Sequence, residues 1–273
     1  MNKLTSFIFL AILFSHCGKR QVPTTGVNVT DTSGLRVLTY NIHHANPPSK
    51  ADVIDLDAIA AVINQQQPDI VALQEIDART TRSGKDLHES EQLAAKTGMS
   101  SYFAKGIDYG GGEYGIAILS KYSMTNMKRH PLPTLESTKG EPRVLATAEV
   151  SLPGNKKIVF ACTHLDAQSK DTNRVLQITR ILEILKEEKL PVILAGDLNA
   201  VPASTTISKL DSYFTRSCVT SSCPFTISEV NPRKTIDFIS YAPRNKFVVK
   251  LHRVVDEKYA SDHLPVFAVF GVK

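Results

Sequence analysis

The chain has 273 residues, of which 42% are hydrophobic and 22% are charged, and its formal net charge at pH 7 is +5. This length and apolar content suffice for one large hydrophobic core or two small ones. The basic excess is mild and dispersed, and the sequence contains no Trp and no dense Lys/Arg segment. The composition therefore tolerates an anionic partner but does not favour a protein dedicated to DNA.

The N-terminus predicts an export signal over residues 1–16. Lys3 precedes a short apolar stretch at residues 7–14, which is the pattern of a charged region followed by the hydrophobic part of a signal peptide. The stretch is too short for a comfortable membrane span. A first core helix is the weaker interpretation, because a polar, Thr-rich stretch follows it.

Cys17 lies where a bacterial lipoprotein signal has its lipidated cysteine, although His16 stands where that motif usually has a small residue. We therefore expect an exported, periplasmic or cell-surface protein with a lipid anchor at Cys17. Residues 17–33 are then a flexible tether between the lipid and the folded domain. Neither an internal repeat nor a Pro- or Gly-rich linker divides the remainder, so residues 34–273 are predicted to form one domain.

Apolar runs and helical spacing predict the secondary structure in chain order. Two clear helices begin near Ile54 and near Asp171, which is a good N-cap residue, and each ends before a proline. Weaker helices are predicted at residues 89–96 and 203–210. Strands are predicted at residues 35–41, 69–75, 101–105, 115–121, 143–151, 157–164, 191–197, 236–241, 247–255 and 265–271.

The connections predict mixed sheets. Pro153-Gly154-Asn155 is a hairpin signal, so the strands on either side of it pair antiparallel. Strands joined through the two long helices can instead pair in parallel. This combination argues against a doubly wound Rossmann fold. The run Gly110-Gly111-Gly112 is expected to be a mobile loop, because it lacks the later residues of a dinucleotide or phosphate-binding motif.

Three cysteines follow Cys17. Cys162 lies in an apolar strand and is expected to be a small buried hydrophobic residue. Cys218 and Cys223 either form a local disulfide, as an exported protein permits, or remain free; their spacing does not decide between the two. It is not a zinc-binding spacing, and no second cysteine pair completes such a site.

The most informative pattern is a set of polar side chains at the ends of predicted buried strands. A carboxylate in such a place is costly unless it is paired or bound to a metal. Each residue alone has an ordinary structural explanation, but their joint placement is difficult to explain by independent structural roles. They are Asn41, Glu75, His164, Asp197, Asn199, Asp237, Asp262 and His263.

At these positions the chain resembles the endonuclease/exonuclease/phosphatase superfamily, which includes deoxyribonuclease I, neutral sphingomyelinases and inositol-polyphosphate 5-phosphatases. The strongest motifs are Gly-Asp-Leu-Asn at residues 196–199 and Ser-Asp-His at residues 261–263. Supporting motifs are Thr-Tyr-Asn ending at Asn41, Leu-Gln-Glu ending at Glu75, and Thr-His-Leu-Asp around His164. The resemblance spans residues 36–270 and implies an α/β fold like that of deoxyribonuclease I. This is a four-layer α/β sandwich of two mostly antiparallel, mixed sheets flanked by helices.

The oxygen-rich ligand set favours Mg²⁺ or Mn²⁺. Glu75 is the best direct ligand, and Asn41 and Asp262 assist directly or through water. The resemblance supports this assignment. Some members carry Asp where this chain has His43. His43 is therefore either an additional substrate or metal contact or a turn residue.

The remaining residues are assigned to catalysis. Asp197 binds or activates the attacking water, and Asn199 orients it together with the phosphate. His263 and Asp237 form a dyad that stabilises the anionic transition state. His164 is a phosphate clamp or the acid for the leaving group. Arg143 either reaches the phosphate or forms a structural ion pair.

These assignments predict a divalent-metal-dependent phosphoesterase that acts outside the cytoplasm. Its substrate is a nucleic acid, a phospholipid or sphingolipid headgroup, or an inositol phosphate, and the charge pattern does not favour nucleic acid. A membrane partner is expected through the lipid anchor, and no obligate protein partner is inferred. The alternative is a surface lipoprotein that uses the same fold to bind a ligand or partner without catalysis.

Overall fold

The structure is a computed structural model that describes residues 33–220 and 222–273. The predicted export signal, the lipidation site at Cys17 and nearly all of the tether lie outside these residues. Within them, no helix has the length and apolar character needed to cross a bilayer.

Twelve strands form two six-stranded sheets. The strand order is β11-β12-β1-β2-β4-β3 in the first sheet and β5-β6-β7-β8-β10-β9 in the second. The strands are β1 (Leu35–Asn41), β2 (Ile70–Ala78), β3 (Ser100–Tyr109), β4 (Gly112–Ser120), β5 (Met124–Pro131), β6 (Val144–Leu152), β7 (Lys156–His164), β8 (Val192–Asp197), β9 (Thr215–Arg216), β10 (Asp237–Ala242), β11 (Phe247–Val254) and β12 (Val266–Val272).

Each sheet is antiparallel except for one parallel pair. β1 pairs in parallel with β2, and β7 pairs in parallel with β8. A parallel pair needs a long crossover, and a helix supplies it in both cases. The four α-helices are α1 (Leu56–Gln66), α2 (Glu89–Thr97), α3 (Thr172–Lys186) and α4 (Thr205–Asp211).

The four layers are held by three apolar clusters. The central cluster joins the facing sides of the two sheets and includes Val37 and Ile118 from one sheet and Phe160 and Ile193 from the other. A second cluster packs α1 and α2 on the first sheet, and a third packs α3 and α4 on the second sheet. The predicted four-layer sandwich of mixed sheets is therefore confirmed.

Two strands were not predicted. β5 is an edge strand whose residues are all exposed or half-buried, so it has no apolar pattern. β9 is only two residues long. The expected mobile loop at Gly110–Gly112 is a tight hairpin instead, because Gly110 and Gly111 turn with positive φ and Gly112 already lies in β4.

The predicted helix starts are close to those observed, but one cap differs. Asp55 caps α1 by accepting the N–H of Ala58 at 2.9 Å. Asp171 precedes α3 but makes no capping hydrogen bond. Its carboxylate instead accepts from Arg174 and from Thr206 of α4, both at 2.8 Å. Asp171 thus joins two helices rather than capping one.

Candidate active site

One end of the sandwich gathers the polar strand ends. The carboxyl ends of β1, β7 and β8 lie there, together with the amino ends of β10 and β12, because the latter run antiparallel to β8 and β1. Loops from both sheets therefore meet around one group of side chains. We refer to this end as the site end.

A β-bulge directs Glu75 into the site. The pairing of β2 with β4 shifts register between Leu73 and Ile76, and Glu75 has a left-handed φ of 59°. Bulges commonly re-aim a side chain in this way. As a result, Glu75 Oε1 accepts a hydrogen bond from Asn41 Nδ2 at 3.0 Å.

Asp197 is the central one of three site residues on neighbouring strands of the second sheet. It stands opposite His164 in the parallel β7–β8 ladder and opposite Asp237 in the antiparallel β8–β10 ladder. The preceding Gly196 has φ 154°, and a Cβ at this position would lie 2.0 Å from the backbone oxygen of Thr163. Only glycine allows the close strand approach that presents Asp197.

The Asp197 carboxylate connects the two sheets. Its Oδ2 accepts from Asn41 Nδ2 at 3.2 Å and lies 3.4 Å from His164 Nε2 and 3.8 Å from His263 Nε2. Its Oδ1 accepts the backbone N–H of Asn199 at 2.8 Å. Since Asn41 also contacts Glu75, five of the predicted residues share one connected network with Asp197.

Asp237 and His263 form a buried ion pair. His263 Nδ1 lies 3.1 and 3.0 Å from the two carboxylate oxygens of Asp237. Burial opposes the imidazolium, but the charge and hydrogen bond of Asp237 outweigh it, so the pKa of His263 is raised to about 10. His263 is therefore a cation at neutral pH, as the proposed dyad requires.

For Asp197 and His164, in contrast to His263, burial favours the neutral form of the side chain. Burial, and after it the negative charge of Asp237, raises the pKa of Asp197 to about 7. Burial, and after it the positive charges of Arg143 and His263, lowers the pKa of His164 well below its usual value. His164 is therefore a neutral imidazole at neutral pH.

Arg143 holds one side of the His164 ring. Its Nη1 lies 3.3 Å from His164 Nδ1, and a guanidinium can only donate. On the other side of the ring, Asn199 Nδ2 lies 3.1 Å from His164 Nε2, so donor groups flank both nitrogens and hold the neutral ring in place. Arg143 also pairs with Glu141 at 2.8 Å. Arg143 is itself buried and its Nε lacks a hydrogen-bond partner among the described residues.

Tyr114 is a site residue that the sequence pattern did not single out. It lines a small cavity together with Glu141, Arg143 and His164. Burial, and after it the negative charge of Glu75, raises the pKa of the Tyr114 phenol, so the hydroxyl keeps its proton. The available signal was its place in β4, two residues before the apolar run at residues 116–119.

Two predicted residues have weaker connections to this network. Asp262 contacts its neighbour Ser261 at 3.4 Å, and Ser261 donates to the backbone oxygen of Asn41 at 2.7 Å. Asp262 is thus connected to Asn41 through Ser261. His43 has a left-handed φ of 49°, and its Nδ1 contacts the backbone oxygen of Asn46 at 2.8 Å. The contacts of His43 are those of a turn residue.

The donor set fits a hard divalent cation. Ligand atoms of Asp197, Asp237 and His263 lie within 4.8 Å of one another, the spacing of a possible metal site. Within this cluster, His263 Nδ1 contacts Asp237 and its Nε2 faces Asp197. Glu75 uses Oε1 for Asn41, and its Oε2 accepts no hydrogen bond from the described residues. Carboxylate and amide oxygens are the ligands that Mg²⁺ and Mn²⁺ prefer.

Cys218 and Cys223 form a disulfide, with the sulfur atoms 2.08 Å apart, whereas Cys162 is a buried free thiol. The disulfide closes a turn in the β9–β10 loop shortly before Thr226. Thr226 Oγ1 accepts the N–H groups of Ile236 at 3.1 Å and Asp237 at 3.4 Å. The loop therefore supports the strand start that carries Asp237.

Two mixed sheets between helix layers, with carboxylates, amides and histidines from both sheets around one buried aspartate, define a phosphoester-hydrolase type of fold. The chain belongs to the endonuclease/exonuclease/phosphatase family, because residues 38–263 match the sequence pattern of that family. Members of this family are metal-dependent phosphoester hydrolases. No curated protein matches the sequence.

Several solved structures share this fold. An endonuclease/exonuclease/phosphatase from Beutenbergia cavernae superposes with a TM-score of 0.76 at 23% identity, over 87% of this chain and 71% of that one. A mannosyl-6-phosphatase from Bacteroides thetaiotaomicron gives 0.67 at 19% identity, over 87% and 99%. The human Nocturnin catalytic domain with bound sulfate gives 0.69 at 20% identity, over 88% and 95%.

Proposed function

We infer that this protein hydrolyses a phosphoester with the help of a divalent cation. The observation that carries this inference is the set of contacts around Asp197, which touches Asn41 and lies within 4 Å of His164 and His263. Side chains from both sheets meet at this one carboxylate. Such a convergence of acid, amide and imidazole groups is what hydrolysis of a charged ester requires.

The cation is Mg²⁺ or Mn²⁺, held by Glu75 with Asn41 and Asp262. When bound, it polarises a phosphoryl oxygen and neutralises charge on the leaving group. Glu75 supports this placement, because one of its carboxylate oxygens is not used by the described residues. Asn41 holds the other oxygen and thereby fixes the orientation of the carboxylate.

The chain's own residues then carry the proton transfers. Asp197 accepts a proton from the attacking water while the water oxygen bonds to phosphorus, and Asn199 orients that water. His263 holds positive charge beside the anionic transition state. The bond to the leaving oxygen breaks and that oxygen takes up a proton from solvent, while His164, 3.4 Å from Asp197, serves as a clamp for the phosphate. Arg143 positions His164 through Nδ1.

We place the enzyme outside the cytoplasm, tethered through Cys17. The support is the charged and apolar N-terminal pattern of residues 1–16. The disulfide between Cys218 and Cys223 supports the same location independently, because structural disulfides persist in oxidising compartments. Processing at Cys17 is tested by mass spectrometry of the N-terminal peptide from the expressed protein.

The function is tested by hydrolysis of bis(p-nitrophenyl) phosphate and p-nitrophenyl phosphate with Mg²⁺ or Mn²⁺, before and after EDTA. A second panel of DNA, RNA, phospholipids, sphingomyelin, phosphoinositides and mannose 6-phosphate identifies the substrate. We expect activity that EDTA abolishes and added metal restores. Absence of hydrolysis across both panels, with every metal, contradicts the proposal and leaves the non-catalytic binding alternative.

A further inference from the structure

The exposed apolar side chains of this protein are concentrated at the site end. Ten large hydrophobic residues are exposed among the described residues. Eight of them lie in loops or at a hairpin tip at that end. Three belong to the β9–β10 loop, where Val219 is 61%, Phe225 50% and Val230 70% exposed.

The other five lie singly at separate places around the site. They occupy the β1–α1, β5–β6, β8–α4 and β11–β12 connections and the tip of the β3–β4 hairpin. By contrast, the seven connections at the opposite end carry none of the ten. The two that remain, Met127 and Val248, lie within the edge strands β5 and β11.

Scattered apolar residues on a protein surface are ordinary, but here all those outside the edge strands lie at the end that carries the long loops and the site. An exposed Val or Phe gains free energy when it leaves water. For eight of the ten residues, this gain is available to an object that approaches the site end. The apolar residues and the site therefore face the same partner.

We propose that the site end docks on a lipid bilayer, so that the enzyme acts on the phosphoester headgroup of a membrane lipid. This inference rests on the proposed phosphoesterase function for its substrate, but the docking stands on the exposed side chains alone. Val219, Phe225 and Val230 enter the boundary between headgroups and acyl chains. The network around Asp197 then faces the headgroup layer.

The chemistry of these loops favours lipid over nucleic acid or a protein partner. Nucleic acid recognition uses aromatic stacking platforms and dense basic grooves, whereas the loop residues are mainly aliphatic. A protein partner's helix needs a continuous groove, whereas these residues protrude from separate loops. A bilayer accepts side chains at scattered positions in one plane.

Basic side chains accompany the apolar ones. Lys139, Lys170 and Lys234 are exposed in three different loops at the site end. None of them has a carboxylate oxygen within 4.0 Å among the described residues. Lysines near a membrane surface attract anionic lipids. The proposal therefore specifies a surface that contains anionic phospholipid.

The experiment exploits the absence of Trp from the sequence. Phe225→Trp places a single fluorescent reporter in the β9–β10 loop, and Val248→Trp places a matched one in the β11 edge strand. Both full-length variants are titrated with phosphatidylcholine vesicles with and without phosphatidylglycerol. Since both carry the same N-terminal residues, a difference between them reports on the loop.

We expect Phe225→Trp emission to shift to the blue and to be quenched by brominated lipids, with a stronger response to the anionic vesicles. Val248→Trp emission stays unchanged. An unshifted Phe225→Trp, or equal shifts in both variants, overturns the docking and leaves a protein or soluble substrate as the partner. The reporter does not depend on catalysis. If soluble esters are hydrolysed but the Phe225→Trp emission does not shift, only the docking proposal is rejected. If the emission shifts but no ester is hydrolysed, only the phosphoesterase proposal is rejected.

A second measurement addresses the substrate. The triple variant Val219→Ser/Phe225→Ser/Val230→Ser loses several exposed apolar groups, so the ratio of its activity on vesicle phospholipid to its activity on a soluble ester falls about tenfold or more. The control Met127→Ser/Val248→Ser keeps the wild-type ratio. An unchanged ratio in the triple variant overturns the lipid substrate.

Discussion

Asp197 and Asp237 stand directly opposite each other in the β8–β10 ladder, and His263 contacts both carboxylates. All three side chains are buried. Two carboxylates this close repel each other in a medium of low polarity unless a cation lies between them. The imidazolium of His263 supplies that cation, so the same residue stabilises the folded protein and prepares positive charge for the transition state.

His263→Ala should therefore damage both stability and activity. Removing one partner of a buried ion pair costs about 3–5 kcal/mol, because the remaining charge stays buried. We expect a lower free energy of unfolding in denaturant at pH 7 and a loss of turnover of about 10²-fold or more. Wild-type stability together with wild-type turnover would exclude this role for His263.

Glu75→Gln should affect activity far more than stability. The amide oxygen still accepts the hydrogen bond of Asn41, so the fold is retained, but the carboxylate charge is lost. We expect turnover to fall about 10²-fold and the metal concentration needed for half-maximal rate to rise. Glu183→Gln, an exposed substitution on α3, is the matched control. Equal kinetics for the two variants would remove Glu75 from the metal site.

Glu89 should make stability depend on pH. It is fully buried, its Oε2 accepts the backbone N–H of Asp77, and its Oε1 lacks a hydrogen-bond partner among the described residues. Burial raises its pKa from 4.5 to about 8. Between these values the folded state keeps a proton that the unfolded state has lost, so rising pH lowers the free energy of unfolding.

Glu89→Gln removes that titration and keeps the acceptor oxygen. Its free energy of unfolding relative to wild type should therefore rise as the pH increases from about 5 to 8, by on the order of a few kcal/mol. Below about pH 3.5 the difference no longer changes, because the wild-type residue is then protonated in both states. Denaturant titrations across this range measure it. A pH-independent difference would show that Glu89 is ionised in the folded protein.

Thr226→Val should weaken the support of Asp237. The substitution preserves volume but leaves two backbone N–H groups without the hydroxyl that accepts them, at a cost of about 1–3 kcal/mol. We expect kcat to fall with little change in KM, since Asp237 positions His263 rather than binding substrate. Thr220→Val, in the exposed part of the same loop, is the control. A KM effect without a kcat effect would argue for a different role.

The sequence was informative where apolar runs end in polar residues. Such runs predicted the central strands, because both faces of these strands are buried. The adjacent polar residues predicted the network around Asp197, since a buried carboxylate needs partners. β5 escaped prediction because an exposed edge strand has no apolar period. The fold and most of the network could thus be predicted from patterns within short segments of the sequence.

Features that depend on distant contacts could not be predicted. Tyr114 joins the site only because β4 begins beside the loop that carries Arg143. The pairing of β6 with β7 brings Arg143, just before β6, beside His164 at the end of β7, which neither residue's neighbours in the sequence indicate. The left-handed φ of His43 and its contact with the backbone oxygen of Asn46 likewise had no signal in the sequence.

The most direct test of the central claim compares wild type with Asp197→Asn on bis(p-nitrophenyl) phosphate in Mg²⁺ or Mn²⁺. Asparagine preserves the shape and the hydrogen bond from Asn41 but cannot accept the proton of the attacking water. The account predicts EDTA-sensitive hydrolysis by wild type and a loss of about 10²–10⁴-fold in the variant. Hydrolysis by Asp197→Asn at the wild-type rate would contradict it.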